Sequence, residues 1–145
     1  MERENKFWLV RDKRRLLLAM MESLAGGAHI SFEGDLSALR LSDIPGASQD
    51  ETGALKRNTL WPKQDFMVLP LELSTSRAIV SAIGGTVPGT LIHIQIEKDG
   101  SLQFAAYDKF HPRCIVFGPA TDQAILESLV SEGIMRPYTG RPPHG

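Results

Sequence analysis

Residues 91–108, LIHIQIEKDGSLQFAAYD, alternate apolar and polar side chains on both sides of an Asp99-Gly100 pair. This pattern predicts two antiparallel strands joined by a tight turn. A two-residue turn would place Ile96 opposite Gln103 and mix apolar and polar side chains on each face. We therefore predict a three-residue loop over 98–100 with a glycine bulge, which makes one face uniformly apolar. The predicted pairs are Ile96 with Leu102, Ile94 with Phe104 and Ile92 with Ala106.

The second face of this hairpin is polar and carries one imidazole and one phenol. We expect it to be a small surface that a partner can contact, because polar side chains on the outer face of a sheet usually meet solvent. Its predicted members are Leu91, His93, Gln95, Glu97, Ser101, Gln103, Ala105 and Tyr107.

Three segments have the apolar spacing and the caps of helices. In the first, apolar residues at positions 17, 20, 21 and 24 precede the Gly26-Gly27 stop. The second ends before Gly84, and the third closes with Gly133 and Ile134 in a Schellman motif. The predicted N-caps are Asp12 for the first helix, Ser74, Thr75 or Ser76 for the second, and Thr121 or Asp122 for the third.

Further strands are predicted over residues 28–33, 66–73 and 113–117, while the apolar run 7–10 fits either a strand or the approach to a helix. Pro70 has no amide hydrogen, so it marks an edge or a bulge. The fold class is therefore α+β, with a mainly antiparallel sheet of about five or six strands and three helices packed on it. We predict a single domain over 1–136, an exposed loop over 43–53 and a flexible tail over 137–145.

Cysteine usage and hydropathy limit the environment of the chain. Cys114 is the only cysteine, so no intramolecular disulfide can form. The longest apolar run, 16–21, is far shorter than the roughly 20 residues of a membrane span, and charges interrupt the N-terminal region. We expect a cytoplasmic protein that does not contact a membrane.

Charge is divided unevenly along a chain whose formal net charge is −1. Residues 1–15 contain six basic and three acidic side chains, whereas residues 16–135 contain 8 basic and 14 acidic ones, a net charge of −6. The middle of the chain is therefore a poor ligand for nucleic acid and a suitable partner for a basic protein.

No motif for phosphate binding, calcium binding or a four-ligand zinc site is present. His111 and Cys114 have a spacing that could chelate, but two ligands are too few, and paired carboxylates such as Glu33 and Asp35 fit a turn. An alternative function is a small hydrolase or transferase that uses His111, Cys114 and Asp108. A second alternative is a nucleic-acid-associated regulator that uses Lys13, Arg14 and Arg15 with Phe7 and Trp8.

We predict instead a non-catalytic protein-binding domain, with no cofactor and no metal. Its most concrete form is an immunity-type inhibitor that neutralises a basic bacterial toxin or enzyme domain, such as a nuclease. Acidic surfaces accelerate encounter with basic partners, and aromatic side chains anchor interfaces. The predicted partner-binding residues are Glu33, Asp35, Asp43, Asp50, Glu51, His93, Gln95, Gln103, Tyr107 and Asp108.

Overall fold

The computed structural model describes residues 7–138, which form three helices and seven strands in two antiparallel sheets. The α+β class and the mainly antiparallel sheet are thus confirmed. The elements are β1 (Phe7–Val10), α1 (Lys13–Leu24), β2 (Ala28–Gly34), β3 (Asp65–Leu71), α2 (Leu73–Ile83), β4 (Leu91–Lys98), β5 (Ser101–Ala106), β6 (Ile115–Phe117), α3 (Gln123–Ser131) and β7 (Met135–Tyr138).

The main sheet has five strands in the order β3-β2-β4-β5-β6, and β1 pairs with β7 in a separate two-stranded sheet. β3 is an edge strand, as Pro70 indicates, and a bridge to Ser48 covers part of that edge. The predicted domain boundary at 136 falls inside β7, because Pro137 and Tyr138 pair with β1. The rest of the predicted tail, 139–145, lies outside the described residues.

Helix ends follow their capping chemistry. The Asp12 carboxylate accepts the amide hydrogen of Arg15 at 3.0 Å, and the Asp122 carboxylate caps α3 in the same way. The Schellman motif at the end of α3 is present, since the Ile134 amide donates to the Leu129 carbonyl oxygen at 3.0 Å.

The predicted start of α2 is wrong. Its N-cap is Glu72, and Thr75 occupies the third helical position, where its hydroxyl accepts the Glu72 amide hydrogen at 3.0 Å. This reciprocal capping box begins the helix at Leu73 and ends β3 at Leu71, two residues before the predicted end of the strand.

The predicted hairpin register is also wrong. The turn has two central residues, Asp99 and Gly100, both with positive φ (54° and 77°), and Glu97 pairs with Leu102. Left-handed residues at both central positions fit the turn type that matches strand twist. The register then shifts by one residue at Gln103, so that Ile96 pairs with Phe104. The apolar face is restored by a bulge inside β5 and not by the loop.

The helices cover one face of the main sheet, where the large core lies. Side chains such as Leu17 and Met20 of α1 pack in this core with Phe32 of β2 and Phe104 of β5. The other face is also covered, by the irregular segment 52–64, whose Leu55 packs with Phe66 and Val68 of β3. The molecule therefore has three layers: helices, sheet and an extended covering segment.

Candidate functional site

The polar face of the sheet lies beneath the covering segment 52–64. Four of the predicted partner-binding side chains, Glu33, His93, Gln95 and Gln103, are buried, and Tyr107 is half-buried. The expectation that this face is open to a partner is wrong for these side chains. Their polar groups bond to other parts of the same chain, which satisfies the requirement that buried polar groups be hydrogen-bonded.

Glu33 fixes the covering segment to the sheet. Its side chain is 1% exposed, and its two carboxylate oxygens accept the backbone amide hydrogens of Asn58 at 2.8 Å and Thr59 at 3.1 Å. Hydrogen bonds to a carboxylate are about twice as strong as neutral ones. The position of residues 58–59 is therefore set by a side chain of the central strand β2.

His93 makes a second connection. It lies opposite Glu33 in the β2-β4 pairing, and its Nε2 atom is 2.8 Å from the Thr59 hydroxyl. The Nδ1 atom accepts the backbone amide hydrogen of Asp108 at 3.1 Å, so the neutral ring carries its proton on Nε2 and donates it to Thr59. Desolvation lowers the pKa of His93, although the Glu33 and Asp108 charges oppose this shift.

Gln95 completes the network. Its amide nitrogen donates to the Ser31 hydroxyl at 3.0 Å and to the Lys56 carbonyl at 2.9 Å, and its amide oxygen accepts from the Tyr107 hydroxyl at 3.2 Å. Desolvation raises the pKa of Tyr107, which keeps this hydroxyl a donor. The His93 and Tyr107 rings pack edge to face with centroids 5.7 Å apart. Each polar group of this network supports the covering segment or a neighbouring strand.

Gln103 has a different structural role. It is the extra residue of the β5 bulge, and its side-chain oxygen accepts the Ala120 amide hydrogen at 2.8 Å. Its backbone carbonyl accepts the Gly118 amide hydrogen at 2.8 Å. The side chain thus holds the turn after β6.

Two of the predicted carboxylates bond to residues close to them in the sequence. Asp35 closes a turn after β2, where its side chain accepts hydrogen bonds from the Ser37 hydroxyl and amide, which lower its pKa. Asp43 forms an exposed ion pair with Arg40 at 3.3 Å. Both carboxylates are therefore engaged with neighbours in the sequence.

The other three predicted carboxylates, Asp50, Glu51 and Asp108, are all exposed. Glu51 accepts the Arg57 amide hydrogen at 2.8 Å, so it also holds the covering segment. Asp50 is exposed near the bridge from Ser48 to β3, and Asp108 is exposed beyond the end of β5. Within residues 7–138, the carboxylates of Asp50 and Asp108 accept no hydrogen bond and are not in an ion pair.

The covering segment presents two large apolar side chains to solvent. Leu60 is 93% exposed and Trp61 is 86% exposed, and they directly follow the residues that Glu33 holds. The sequence interpretation did not single out either residue, because an apolar pair in a polar segment has no helical or strand period. The available signal was an aromatic residue beside Pro62 in a stretch without apolar spacing. We call Leu60 and Trp61 the apolar tip.

The residues of the hydrolase alternative, Asp108, His111 and Cys114, are near one another in sequence. The Nδ1 atom of His111 accepts the Arg113 amide hydrogen at 3.1 Å, and Cys114 is half-buried at the end of a short 3₁₀ turn. In the part of the chain that the structure describes, no hydrogen bond joins the His111 ring to Cys114 or to the Asp108 carboxylate.

The basic residues at the start of α1 are engaged within the chain. Lys13 lies over the ring of Phe110 at 5.8 Å, Arg14 donates to the Gly84 carbonyl at 2.8 Å, and Arg15 pairs with Glu132 at 3.1 Å. Trp8 is 7% exposed and packs against Phe117. Trp8 is therefore not available for base stacking, which the nucleic-acid alternative requires.

Among residues 7–138, no group of three or more His, Cys, Asp or Glu side chains could hold a metal ion. None of the helices in this range has the length and apolar character needed to cross a membrane. Comparison with protein-family models, with curated proteins and with solved structures gives no match to this chain.

Proposed function

We propose that the protein is a non-catalytic protein-binding domain that contacts its partner through the apolar tip, Leu60 and Trp61. The observation that carries this proposal is the near-complete exposure of two adjacent large apolar side chains on a segment that partly buried hydrogen bonds from Glu33 hold in place. Tryptophan is enriched among the residues that dominate binding energy in protein interfaces.

The energetic argument has two parts. Burying a large apolar side chain gives roughly 1.5–3 kcal/mol, so an apolar pocket on a partner would gain this amount from each residue of the tip. The bonds from Glu33 to the backbone amides of Asn58 and Thr59, and from His93 to the Thr59 hydroxyl, hold this segment before binding. A fixed segment loses less conformational entropy on association than a loose one, which favours binding.

An immunity-type inhibitor of a basic toxin domain is one specific form of this proposal and stays a prediction. Such an inhibitor would attract its basic partner through exposed carboxylates that are not already bonded within the described residues. Asp50 and Asp108 meet this condition within the described residues, whereas Glu33 is buried and Asp43 is paired with Arg40. The apolar tip supports protein binding whatever the charge of the partner.

The test is affinity capture from cells that contain the natural partner, with the wild type and matched variants compared in parallel. Trp61→Ala and Leu60→Ala should each remove a stoichiometric partner from the eluate. Leu73→Ala is the matched control, because Leu73 is 83% exposed but belongs to the first turn of α2. Capture that survives both tip variants would refute the proposal, provided that their NMR spectra show the wild-type fold.

A further inference from the structure

Three consecutive residues after β5 have a backbone conformation that L-amino acids rarely adopt. Asp108, Lys109 and Phe110 all have a positive φ, at 51°, 57° and 63°. In this left-handed region the Cβ atom crowds the backbone, so single residues adopt it and runs of them are unusual. None of the three is a glycine, which would adopt it without strain. Residues 108–110, which we call the left-handed turn, therefore depend on other contacts to hold them.

Three of these contacts contain no titratable group. The Lys109 amide donates to the Ile92 carbonyl oxygen at 2.8 Å, and the His111 amide donates to the Tyr107 carbonyl oxygen at 3.2 Å. The Phe110 side chain is 5% exposed and packs in the large core. These contacts are the same whatever the pH.

The fourth contact does contain a titratable group, because the Asp108 amide donates to the Nδ1 atom of His93 at 3.1 Å. Only the unprotonated nitrogen of a neutral ring accepts such a hydrogen, and the ring proton is then on Nε2, which is 2.8 Å from the Thr59 hydroxyl. When the ring takes up a second proton, Nδ1 becomes a donor as well. Protonation therefore removes the acceptor of the Asp108 amide and sets two N–H groups against each other.

The neighbours of the ring determine what a protonated His93 meets. Glu33 faces it from β2, Tyr107 lies beside it at the end of β5, and Thr59 contacts it from the covering segment. Burial lowers the pKa of His93, and the negative charges of Glu33 and Asp108 oppose this shift. The Glu33 carboxylate already accepts two backbone amide hydrogens, whereas the exposed Asp108 carboxylate accepts none within the described residues. Asp108 is thus the carboxylate that is available to a protonated ring.

We propose that His93 is a pH switch for the left-handed turn: the neutral ring holds residues 108–110 in the left-handed conformation, and protonation of the ring releases them. On release, Asp108 leaves the left-handed region and turns its carboxylate towards the imidazolium, so that an opposed N–H is exchanged for an opposite charge. The exposed surface around Asp108 then has one form at neutral pH and another in acid. This inference does not depend on the apolar tip or on its partner.

The test is NMR of the ¹⁵N-labelled full-length protein during a pH titration. At about pH 8, where a histidine is neutral, the unprotonated ring nitrogen of His93 should be Nδ1, and an unprotonated Nε2 would overturn the inference. As the ring titrates, the intraresidue NOE between HN and Hα, which is strongest at positive φ, should weaken in residues 108–110 with the same midpoint. Protection of the Asp108 amide from hydrogen exchange should fall by about tenfold or more. Strong NOEs that persist when the ring is fully protonated would refute the switch.

His93→Asn and His111→Asn form the matched pair of variants. An asparagine oxygen replaces Nδ1 as the acceptor but does not titrate, so His93→Asn should keep the same NOEs in residues 108–110 throughout the titration. His111 is the control, because it is exposed next to the turn and its Nδ1 atom also accepts a backbone amide hydrogen, that of Arg113 at 3.1 Å. His111→Asn should respond as the wild type does. A response that survives His93→Asn, or that disappears in His111→Asn, would assign the pH dependence to another group and overturn the inference.

Lys109→Gly keeps the inference testable even if His93→Asn does not fold. Lys109 is exposed, and its side chain makes no bond within the described residues, so the substitution changes mainly the backbone strain. Because glycine adopts a positive φ without strain, this variant should retain stronger NOEs at Asp108 and Phe110 than the wild type when the His93 ring is protonated. Equal weakening in the two proteins would show that strain does not drive the release, which would contradict the proposed switch.

Discussion

The bonds from Glu33 to the covering segment can be tested by the substitution Glu33→Gln. The glutamine has nearly the same shape, but its amide oxygen can accept only one of the two hydrogen bonds now made to Asn58 and Thr59. Its amide nitrogen would face the other backbone N–H, so that donor would lose its acceptor. The expected result is a loss of stability concentrated in residues 56–64.

The magnitude follows from the number and type of bonds. Leaving one backbone N–H without a partner costs about 1–3 kcal/mol, and converting the other bond from charged to neutral costs about 1 kcal/mol more. Asn58 is exposed and Thr59 half-buried, so water can replace part of the loss. We therefore expect the free energy of unfolding to fall by about 2 kcal/mol, which corresponds to a Tm lower by about 4–8 °C for a chain of this size.

The assay combines urea unfolding, followed by circular dichroism, with amide hydrogen exchange. Glu127→Gln is the control, because Glu127 is exposed on α3 and makes no side-chain bond within the described residues. The free energy of unfolding of this variant should differ from that of the wild type by less than about 0.5 kcal/mol. The reasoning is refuted if Glu33→Gln behaves like this control and the amides of residues 58 and 59 exchange as slowly as in the wild type.

Three further results are expected. Desolvation lowers the pKa of His93 from its usual value of 6.5, so the unfolded chain takes up a proton at higher pH than the folded one. The free energy of unfolding should therefore decline as pH falls below about 6.5. In urea titrations, His93→Asn should make this decline with pH less steep. Gly118→Ala should lower the free energy of unfolding by about 2 kcal/mol or more, because a Cβ at this position would lie 2.4 Å from a backbone oxygen of β5. Gly85→Ala is the control and should change it little, because no atom lies within 4 Å of a Cβ there. Equal shifts in the Tm of the two variants would contradict this prediction. Acrylamide should quench the fluorescence of Trp61 strongly and that of Trp8 weakly, so Trp61→Phe should remove most of the quenching.

Local chemistry was sufficient to predict α1 and α3. Asp12 and Asp122 cap these helices because their carboxylates reach amides two or three residues away, and Gly133 ends α3 because its backbone has a positive φ of 74°. These contacts are formed between near neighbours, so the sequence contains the information without any tertiary structure.

The hairpin shows how far such reasoning extends. Alternation correctly identified the apolar face that contains Ile94, Ile96 and Phe104. The predicted register is wrong because a two-residue turn and a bulge are weighed as alternatives. The protein has both. The turn is set by Asp99-Gly100, and the bulge at Gln103, stabilised by a bond to Ala120, corrects the phase of β5.

The candidate site depended on contacts that are distant in sequence. The sequence placed Glu33 and His93 on a polar sheet face, and by itself it determined the three helices, most of the strands, the apolar face and the ends of α1 and α3. The tertiary structure decided that the face is covered, because the Glu33 carboxylate bonds to amides 25 and 26 residues away in a segment with no periodic pattern. Every residue except proline has the same backbone N–H group, so the sequence does not show which of them a buried carboxylate binds. Only the folded chain shows this, and with it why Leu60 and Trp61 face solvent.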